Sequence, residues 1–220
     1  MTTPDRSRAD KIAFVLYLIL FHGSWTTWVV FGYPHLRALG EHTLLYASIN
    51  VLVRALLWVL PVFAYLHCVN GVSAWSYLKL RTNWRRGLLA ALLFSALNFA
   101  LLLAQHGLPH FRGEAITWNS VLSTSLLIGV VEEIPYRGFM LQKLNGWFSF
   151  TSATIISSLL FVGVHLPGWL LLHLFNIRVA VFIFVFGVLM AILLRYSRSL
   201  WAPIVSHSLN DFFTAVVFRL

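Results

Sequence analysis

Seven apolar runs separated by short polar connections constrain the fold of this chain more than any other feature. A helix needs roughly 20 apolar residues to cross ~30 Å of hydrocarbon, and most of the runs approach or reach that length. A shorter apolar segment, 167–176, is expected to be re-entrant or interfacial. The pattern predicts an all-α fold, a polytopic membrane helical bundle of seven to eight transmembrane helices, with 1–220 as a single transmembrane domain. The seven runs are 12–33, 44–66, 87–104, 120–141, 152–166, 179–194 and 200–218.

The composition excludes a water-soluble domain. Hydrophobic residues make up 59% of the 220 positions and charged residues 10%, whereas a soluble domain carries about 25% charged residues. The net charge is +9, but the basic residues are scattered through the connections, so we expect no nucleic-acid partner. Lys and Arg concentrate in cytoplasmic loops. Their distribution predicts a cytoplasmic N-terminus, and the expected location is the bacterial plasma membrane.

Ionisable residues inside the apolar runs are the candidates for function. The chain has seven acidic residues, and Glu132, Glu133 and Asp211 are the ones that lie within these runs. A carboxylate at the bilayer centre costs roughly 2.5–3.5 kcal/mol, so such a residue is a functional-site hypothesis by default. Arg54 also lies within a run, and we expect it to be a structural partner of an acid or a carbonyl.

The first polar group is the segment Glu132-Glu133-Ile134-Pro135-Tyr136-Arg137. On a helix, Glu133 and Arg137 are four residues apart and share a face, so they can form an ion pair. Glu132 points about 100° away from Glu133 and is free to face another helix. Pro135 removes a backbone donor and is expected to loosen the helix here. The alternative is a pair of acids at a cytoplasmic helix end, held by Arg137 alone.

Two further polar groups lie in later apolar runs. His165 follows Phe161 by one helical turn. His207 and Asp211 are also four residues apart and face the same way, whereas Asn210 is rotated aside. The alternatives are a hydrogen-bonded core histidine for the first group and a polar contact between helices for the second.

These three groups, in this order, resemble the CAAX protease and bacteriocin-processing family, also called the Abi family. The family pattern is Glu-Glu-x-x-x-Arg, then Phe-x-x-x-His, then His-x-x-x-Asn or Asp, each in a different transmembrane helix. The resemblance covers roughly residues 119–218, so the chain divides into N-terminal spans, 1–118, and a catalytic core, 119–220. The matching residues are Glu132, Glu133, Arg137, Phe161, His165, His207 and Asp211.

The resemblance implies hydrolysis of a peptide bond within the membrane. Glu132 would activate a water together with His165 and pass the proton to the leaving amine. His207 and Asp211 would bind the developing oxyanion or position the scissile carbonyl. Asp211 could act as a protonated donor, as an acceptor for His207 or as a metal ligand, and the sequence leaves these open. Glu133, Arg137 and Phe161 would support the site.

The need for a cofactor is also left open by the sequence. Glu132, His165 and His207 form a set that would suit zinc with an open fourth position. The chain lacks a His-Glu-x-x-His motif, the commonest signature of zinc peptidases. We therefore expect no tightly bound metal, with zinc as the alternative.

Two other functions compete with an endopeptidase. One is a catalytically inactive scaffold or bacteriocin-immunity protein with the same fold. The other is a proton-coupled transporter that uses Glu132, His165, His207 and Asp211 as a relay. The expected partners are the lipid bilayer and a peptide or protein substrate, and the sequence indicates no particular oligomeric state.

Overall fold

The computed structural model describes residues 3–109 and 116–218, and these residues form helices and no strand. The predicted all-α fold is therefore confirmed for the described part of the chain. In the N-terminal half, α1 consists of Thr3–Thr27, a π-helical turn at Trp28–Gly32 and Tyr33–Arg37; α2 consists of Leu44–Arg54, a second such turn at Ala55–Val59 and Leu60–Cys68; α3 is Ala74–Tyr77 and α4 is Trp84–His106. In the C-terminal half, α5 consists of Asn119–Leu126, Ile128–Glu133, Ile134–Met140 and Leu141–Asn145; α6 consists of Phe150–Gly163 and Leu166–Leu171; α7 is Ile177–Ser197; α8 consists of Trp201–Phe212 and Phe213–Phe218.

Within residues 3–109 and 116–218, five helices are long and apolar enough to cross a membrane, namely α1, α2, α4, α6 and α7. Their surfaces expose large apolar side chains, for example Leu20 at 71% and Leu93 at 65%, which suits contact with lipid. The chain is thus an integral membrane protein, but the predicted total of seven to eight spans is not reached by these five. α5 and α8 fall outside the group because they carry the charged and polar residues of the predicted site, which make them less apolar.

Local hydrogen bonds mark the beginnings of three of these helices. The hydroxyl oxygens of Thr43 and Ser149 accept from the backbone N–H groups of Tyr46 and Ser152, which caps α2 and α6. The side chain of Asn176 caps α7 in the same way. The segment 167–176, expected to be re-entrant or interfacial, begins within the last helical turns of α6, and the helix ends at Leu171.

The helices that carry the polar groups pack directly against one another. α8 lies against α4, α5 and α7, and α6 lies against α5 and α7. Gly129 permits the contact between α5 and α8, since a Cβ atom there would collide with the carbonyl oxygen of Ile204. At Gly187 of α7, an added Cβ atom would lie 2.9 Å from the Ser158 hydroxyl of α6 and 3.0 Å from the Arg137 guanidinium of α5. Small residues at such crossings let helix backbones approach closely in membranes.

Candidate active site

Glu132, His165, His207 and Asp211 line one cavity of about 920 Å³. Glu132 comes from α5, His165 from the break in α6, and the other two from α8. The structure therefore brings together the four residues that the sequence proposes for catalysis, while their catalytic roles stay a prediction. The remaining walls are mostly apolar and aromatic, as in a site that binds an apolar or peptide ligand.

Glu133 joins two helices behind the cavity wall. Its Oε1 atom lies 3.2 Å from Nη1 of Arg137 and 2.6 Å from Nδ1 of His207. Glu133 is 0% exposed and Arg137 is 1% exposed. The predicted ion pair between Glu133 and Arg137 is thus present, and the same carboxylate also accepts from His207. A buried ion pair needs such additional hydrogen bonds to offset its desolvation.

The local backbone separates the two neighbouring glutamates. Glu133 ends the regular helix of α5, and a π-helical turn begins at Ile134 with Pro135 in its first positions. Proline cannot donate a backbone hydrogen bond, so it favours a wider turn at this point. Such π turns occur often at functional sites. The loosening that Pro135 predicts is therefore found directly after the carboxylates.

The Glu132 carboxylate faces the cavity between two basic groups. Its Oε1 atom lies 3.8 Å from Nη1 of Arg54, and its Oε2 atom lies 3.7 Å from Nε2 of His207. Glu132 is 5% exposed, and it accepts no hydrogen bond from the residues that the structure describes. Polar contacts longer than 3.5 Å are ones that a water molecule can bridge. The carboxylate is thus paired by charge but still free to bind a water.

Arg54 is held beside Glu132 by two tryptophans. Its guanidinium carbon lies 5.7 Å from the ring centroid of Trp25 and 5.8 Å from that of Trp58. Trp25 in turn donates from Nε1 to the carbonyl oxygen of Val164, next to His165, at 3.0 Å. The N-terminal spans therefore supply a cation beside Glu132 and an anchor for the break in α6.

One ring nitrogen of His165 is hydrogen-bonded to the backbone, and the other makes no hydrogen bond to the described residues. Its Nδ1 atom lies 2.8 Å from the carbonyl oxygen of Phe161. A carbonyl oxygen only accepts, so Nδ1 carries the proton and Nε2 keeps its lone pair. His165 lies in the turn between the two helical segments of α6, and Pro167 occupies the start of the second segment. Proline has no N–H to bond the carbonyl four residues earlier and its ring clashes with that carbonyl, which explains the break.

The Phe161 ring contacts three polar side chains from three helices. The Arg137 guanidinium lies 4.2 Å from its centroid, the distance range of a cation–π interaction. The rings of His165 and His207 meet it at centroid distances of 5.1 and 6.1 Å, close to perpendicular. Phe161, predicted as a supporting residue, is therefore the shared apolar contact of the polar groups.

Asp211 lies beside His207, at a distance longer than a direct hydrogen bond, so the choice among its three predicted roles stays open. Its Oδ2 atom is 3.6 Å from Nε2 of His207, and its Oδ1 atom accepts from Nδ2 of Asn210 at 2.9 Å. The Asn210 oxygen accepts from Nδ2 of Asn98 on α4 at 3.0 Å. Asn210, set aside from the sequence because it points away from His207, thus lines the cavity and holds Asp211.

Three polar residues lie at this site without being among the predicted site residues, namely Arg54, Asn98 and Asn210. Arg54, predicted to be a structural partner of an acid or a carbonyl, does lie beside an acid, Glu132, and a cation inside a span is a functional hypothesis on the same grounds as a carboxylate. Asn98 and Asn210 are amides within apolar runs, and such polar residues often bond across helices. The signal was therefore present in each case, but their partners could not be identified without the packing.

The donor geometry does not match a metal site. Among residues 3–109 and 116–218, no group of three His, Cys, Asp or Glu side chains is arranged to hold a metal ion. Glu133 and Phe161 engage only the Nδ1 atoms of His207 and His165, which leaves both Nε2 atoms available, as in ligating histidines, so the geometric result alone bears on the question. The proposed zinc set of Glu132, His165 and His207 therefore gains no support from the side-chain positions, and the cofactor question stays a prediction.

Comparison with known proteins supports the family that the motifs predict. Residues 114–213 match the model of the family described as type II CAAX prenyl endopeptidase Rce1-like. Neither the curated proteins nor the solved structures contain a significant match. The matched segment spans α5 to α8 and includes every residue of the three motifs. Residues 114–213 are thus similar to the Rce1-like type II CAAX prenyl endopeptidases, a family of proteases.

Proposed function

We propose that this protein is an intramembrane endopeptidase that hydrolyses a peptide bond with a water activated by Glu132 and His165. The observation that carries the proposal is the position of the Glu132 carboxylate. It is almost fully buried, faces a cavity within the bundle, and lies between Arg54 and His207 without a direct hydrogen bond to either. Such a carboxylate can hold a water and take its proton.

His165 would orient the attacking water. Because Nδ1–H donates to the Phe161 carbonyl, Nε2 is an acceptor. A water that donates one hydrogen to Glu132 and the other to Nε2 directs a lone pair of its oxygen into the cavity. As that oxygen bonds to the scissile carbonyl carbon, its proton moves to Glu132. The C–N bond then breaks, and Glu132 returns the proton to the leaving amine.

His207 and Asp211 would stabilise the oxyanion that forms on the carbonyl oxygen. Since Nδ1–H of His207 donates to Glu133, donation to an oxyanion requires a second proton on Nε2. The carboxylates of Glu132, Glu133 and Asp211 surround this ring within 4 Å, and their charge stabilises the imidazolium. Asp211 would therefore act through His207. Removing one oxyanion donor typically costs about 10²–10³ in kcat.

We also propose that the N-terminus faces the cytoplasm of a bacterium. Lys79, Arg86, Arg195 and Arg198 come together at one end of the bundle. Nζ of Lys143, near the end of α5, lies 2.7 Å from Oδ1 of Asp10, near the start of α1. This contact supports placing the N-terminus at the same end of the bundle as these basic residues. The rule that basic residues stay in the cytoplasm then assigns this end to the inside.

Cleavage of a mixed library of synthetic membrane peptides tests this function. The protein would be reconstituted in liposomes with the library, and fragments would be identified by mass spectrometry. We expect fragments with the native protein and at least a ~100-fold loss in His165→Ala. His173→Ala, a histidine outside the cavity lining, is the control and should keep the activity. A chelator added to the native protein should leave cleavage unchanged. Absence of fragments under every condition would favour the scaffold reading.

A further inference from the structure

A second cavity, of about 900 Å³, lies at the end of the bundle where the basic connections meet. It shares no lining residue with the cavity that contains Glu132. Its walls come from the connection between α3 and α4, the end of α5, the start of α6 and the end of α7. The proposed peptidase mechanism uses none of these residues, so this cavity needs an explanation of its own.

The charged side chains that line this second cavity are all basic. Its lining contains four basic side chains, Lys79, Arg86, Arg195 and Arg198, and no acidic one. None of the four forms a salt bridge with a carboxylate of the described residues. In contrast, Lys143 pairs with Asp10 nearby at 2.7 Å. Four unneutralised cations around one concave space attract an anion, and their mutual repulsion falls when an anion binds.

The basic groups are held in place by the surrounding structure. The Arg195 guanidinium lies 4.2 Å from the ring centroid of Phe150. Lys79 and Arg198 have φ values of 58° and 57°; Arg198 takes this left-handed conformation as the C-cap of α7, where its N–H donates to the Leu194 carbonyl oxygen. The backbone N–H of Leu200 donates to the carbonyl oxygen of Lys79 at 3.3 Å, which places Lys79 beside the turn that contains Arg198. Burial lowers the pKa of Lys79, and the charge of Arg198 lowers it further. The fold therefore sets the backbone positions of Lys79 and Arg198, and a ring contact orients Arg195, while the three arginines remain exposed to a ligand.

The position of the cavity indicates which anion would reach it. Its lining includes the ends of the crossing helices α4 and α7. Trp84 and Tyr196 are exposed beside it, at 48% and 69%, and such aromatic residues lie at the level of lipid headgroups. Basic cavities between helices on the cytoplasmic side bind the headgroups of anionic lipids.

We propose that this basic cavity binds the phosphate headgroup of an anionic phospholipid. The amide of Asn145 and the apolar side chains of Leu141 and Leu194 complete the lining, so a phosphate and the glycerol next to it both find suitable contacts. Binding would stabilise the folded protein, since the ligand recognises the native arrangement of α4, α5 and α7.

The test compares two double variants that remove the same charge. All four arginines are exposed. Arg86→Gln/Arg195→Gln changes two that line the cavity, and Arg81→Gln/Arg85→Gln changes two that do not. Arg195 and Arg85 each stack on an aromatic ring, which makes the two changes comparable. Binding of phosphatidylglycerol is measured by native mass spectrometry. Thermal stability is measured in vesicles of phosphatidylcholine with and without phosphatidylglycerol.

We expect phosphatidylglycerol to bind about tenfold more weakly to the cavity variant, because each basic residue near the surface contributes to anionic lipid binding. The control variant should bind as the native protein does. An equal loss in both variants would show diffuse surface charge and overturn the proposal. If the cavity variant does not fold, competition on the native protein decides. Inorganic phosphate that displaces the lipid completely would assign the site to a soluble anion instead, whereas retained lipid would support the proposal.

Discussion

The Nδ1 atom of His207 lies 2.6 Å from the Oε1 atom of Glu133, and this contact joins α8 to α5 behind the cavity. The same carboxylate oxygen accepts from Arg137. Because Glu133 holds one nitrogen of the imidazole, the other nitrogen is directed at Glu132 and Asp211. The second glutamate of the motif thus determines which ring nitrogen of His207 faces Glu132 and Asp211.

Replacing Glu133 with glutamine should destabilise the protein strongly. Glu133→Gln leaves the buried Arg137 without its counter-charge, and breaking a buried pair in this way costs about 3–5 kcal/mol. Unfolding by denaturant in detergent measures the loss. Glu41→Gln is the matched control, since Glu41 pairs with Arg37 at the same i, i+4 spacing on the surface. It should leave the stability unchanged, and equal effects of the two changes would contradict the buried pair.

Phe161→Leu should lower both stability and activity. The ring supports Arg137 by a cation–π contact and meets both histidines edge-on. A desolvated cation–π contact contributes about 2 kcal/mol or more. Thermal unfolding and a cleavage assay measure the two effects. Phe148→Leu changes an exposed phenylalanine and serves as the control. A Phe161→Leu protein with native stability would show that the ring is not a shared support.

Gly129→Ala should separate α5 from α8. The added methyl group would meet the Ile204 carbonyl oxygen and the Ser208 side chain, and overpacking of this kind costs about 1–3 kcal/mol. Since Glu133 and His207 lie on these two helices, cleavage should fall along with thermal stability. Gly163→Ala places a methyl group in open space and should change neither. Native behaviour of Gly129→Ala would mean that the two helices can shift without loss.

Arg54→Gln should reduce kcat/KM about tenfold, which corresponds to the loss of ~1.4 kcal/mol of transition-state stabilisation. The guanidinium is the counter-charge on the cavity side of Glu132, and the fold should survive because Arg54 makes no other ion pair among the residues described. Steady-state kinetics with a cleaved peptide measure the change. Arg54→Lys keeps the charge and should recover part of the rate. Unchanged kinetics in Arg54→Gln would leave Arg54 with a structural role.

Contacts within one helix could be predicted from the sequence, whereas contacts between helices could not. The pair of Glu133 and Arg137 follows from a spacing of four residues, and the loosened turn follows from Pro135. The bond between His207 and Glu133 joins positions 74 residues apart. It depends on how closely α5 and α8 pack, which a periodicity argument does not contain.

Hydropathy alone also fails to identify two helices of the predicted bundle, α5 and α8, as clear membrane spans. α5 and α8 are the helices in which Glu132 and His207 replace apolar residues, so hydropathy identifies them less clearly than their neighbours. Arg54 and Asn98 face these helices from the N-terminal half, for which the motifs make no statement. Their place at the site follows only from the contacts of Arg54 with Glu132 and of Asn98 with Asn210.

The cleavage rate of Glu132→Gln tests the central claim most directly. Glutamine has nearly the same shape as glutamate but cannot take a proton from water, so kcat should fall at least ~10²-fold while the protein inserts and folds normally. Asp10→Asn is a matched carboxylate-to-amide change outside the cavity lining and should keep the rate. Loss of cleavage in Glu132→Gln alone is the predicted result, and native cleavage by that variant would contradict the account.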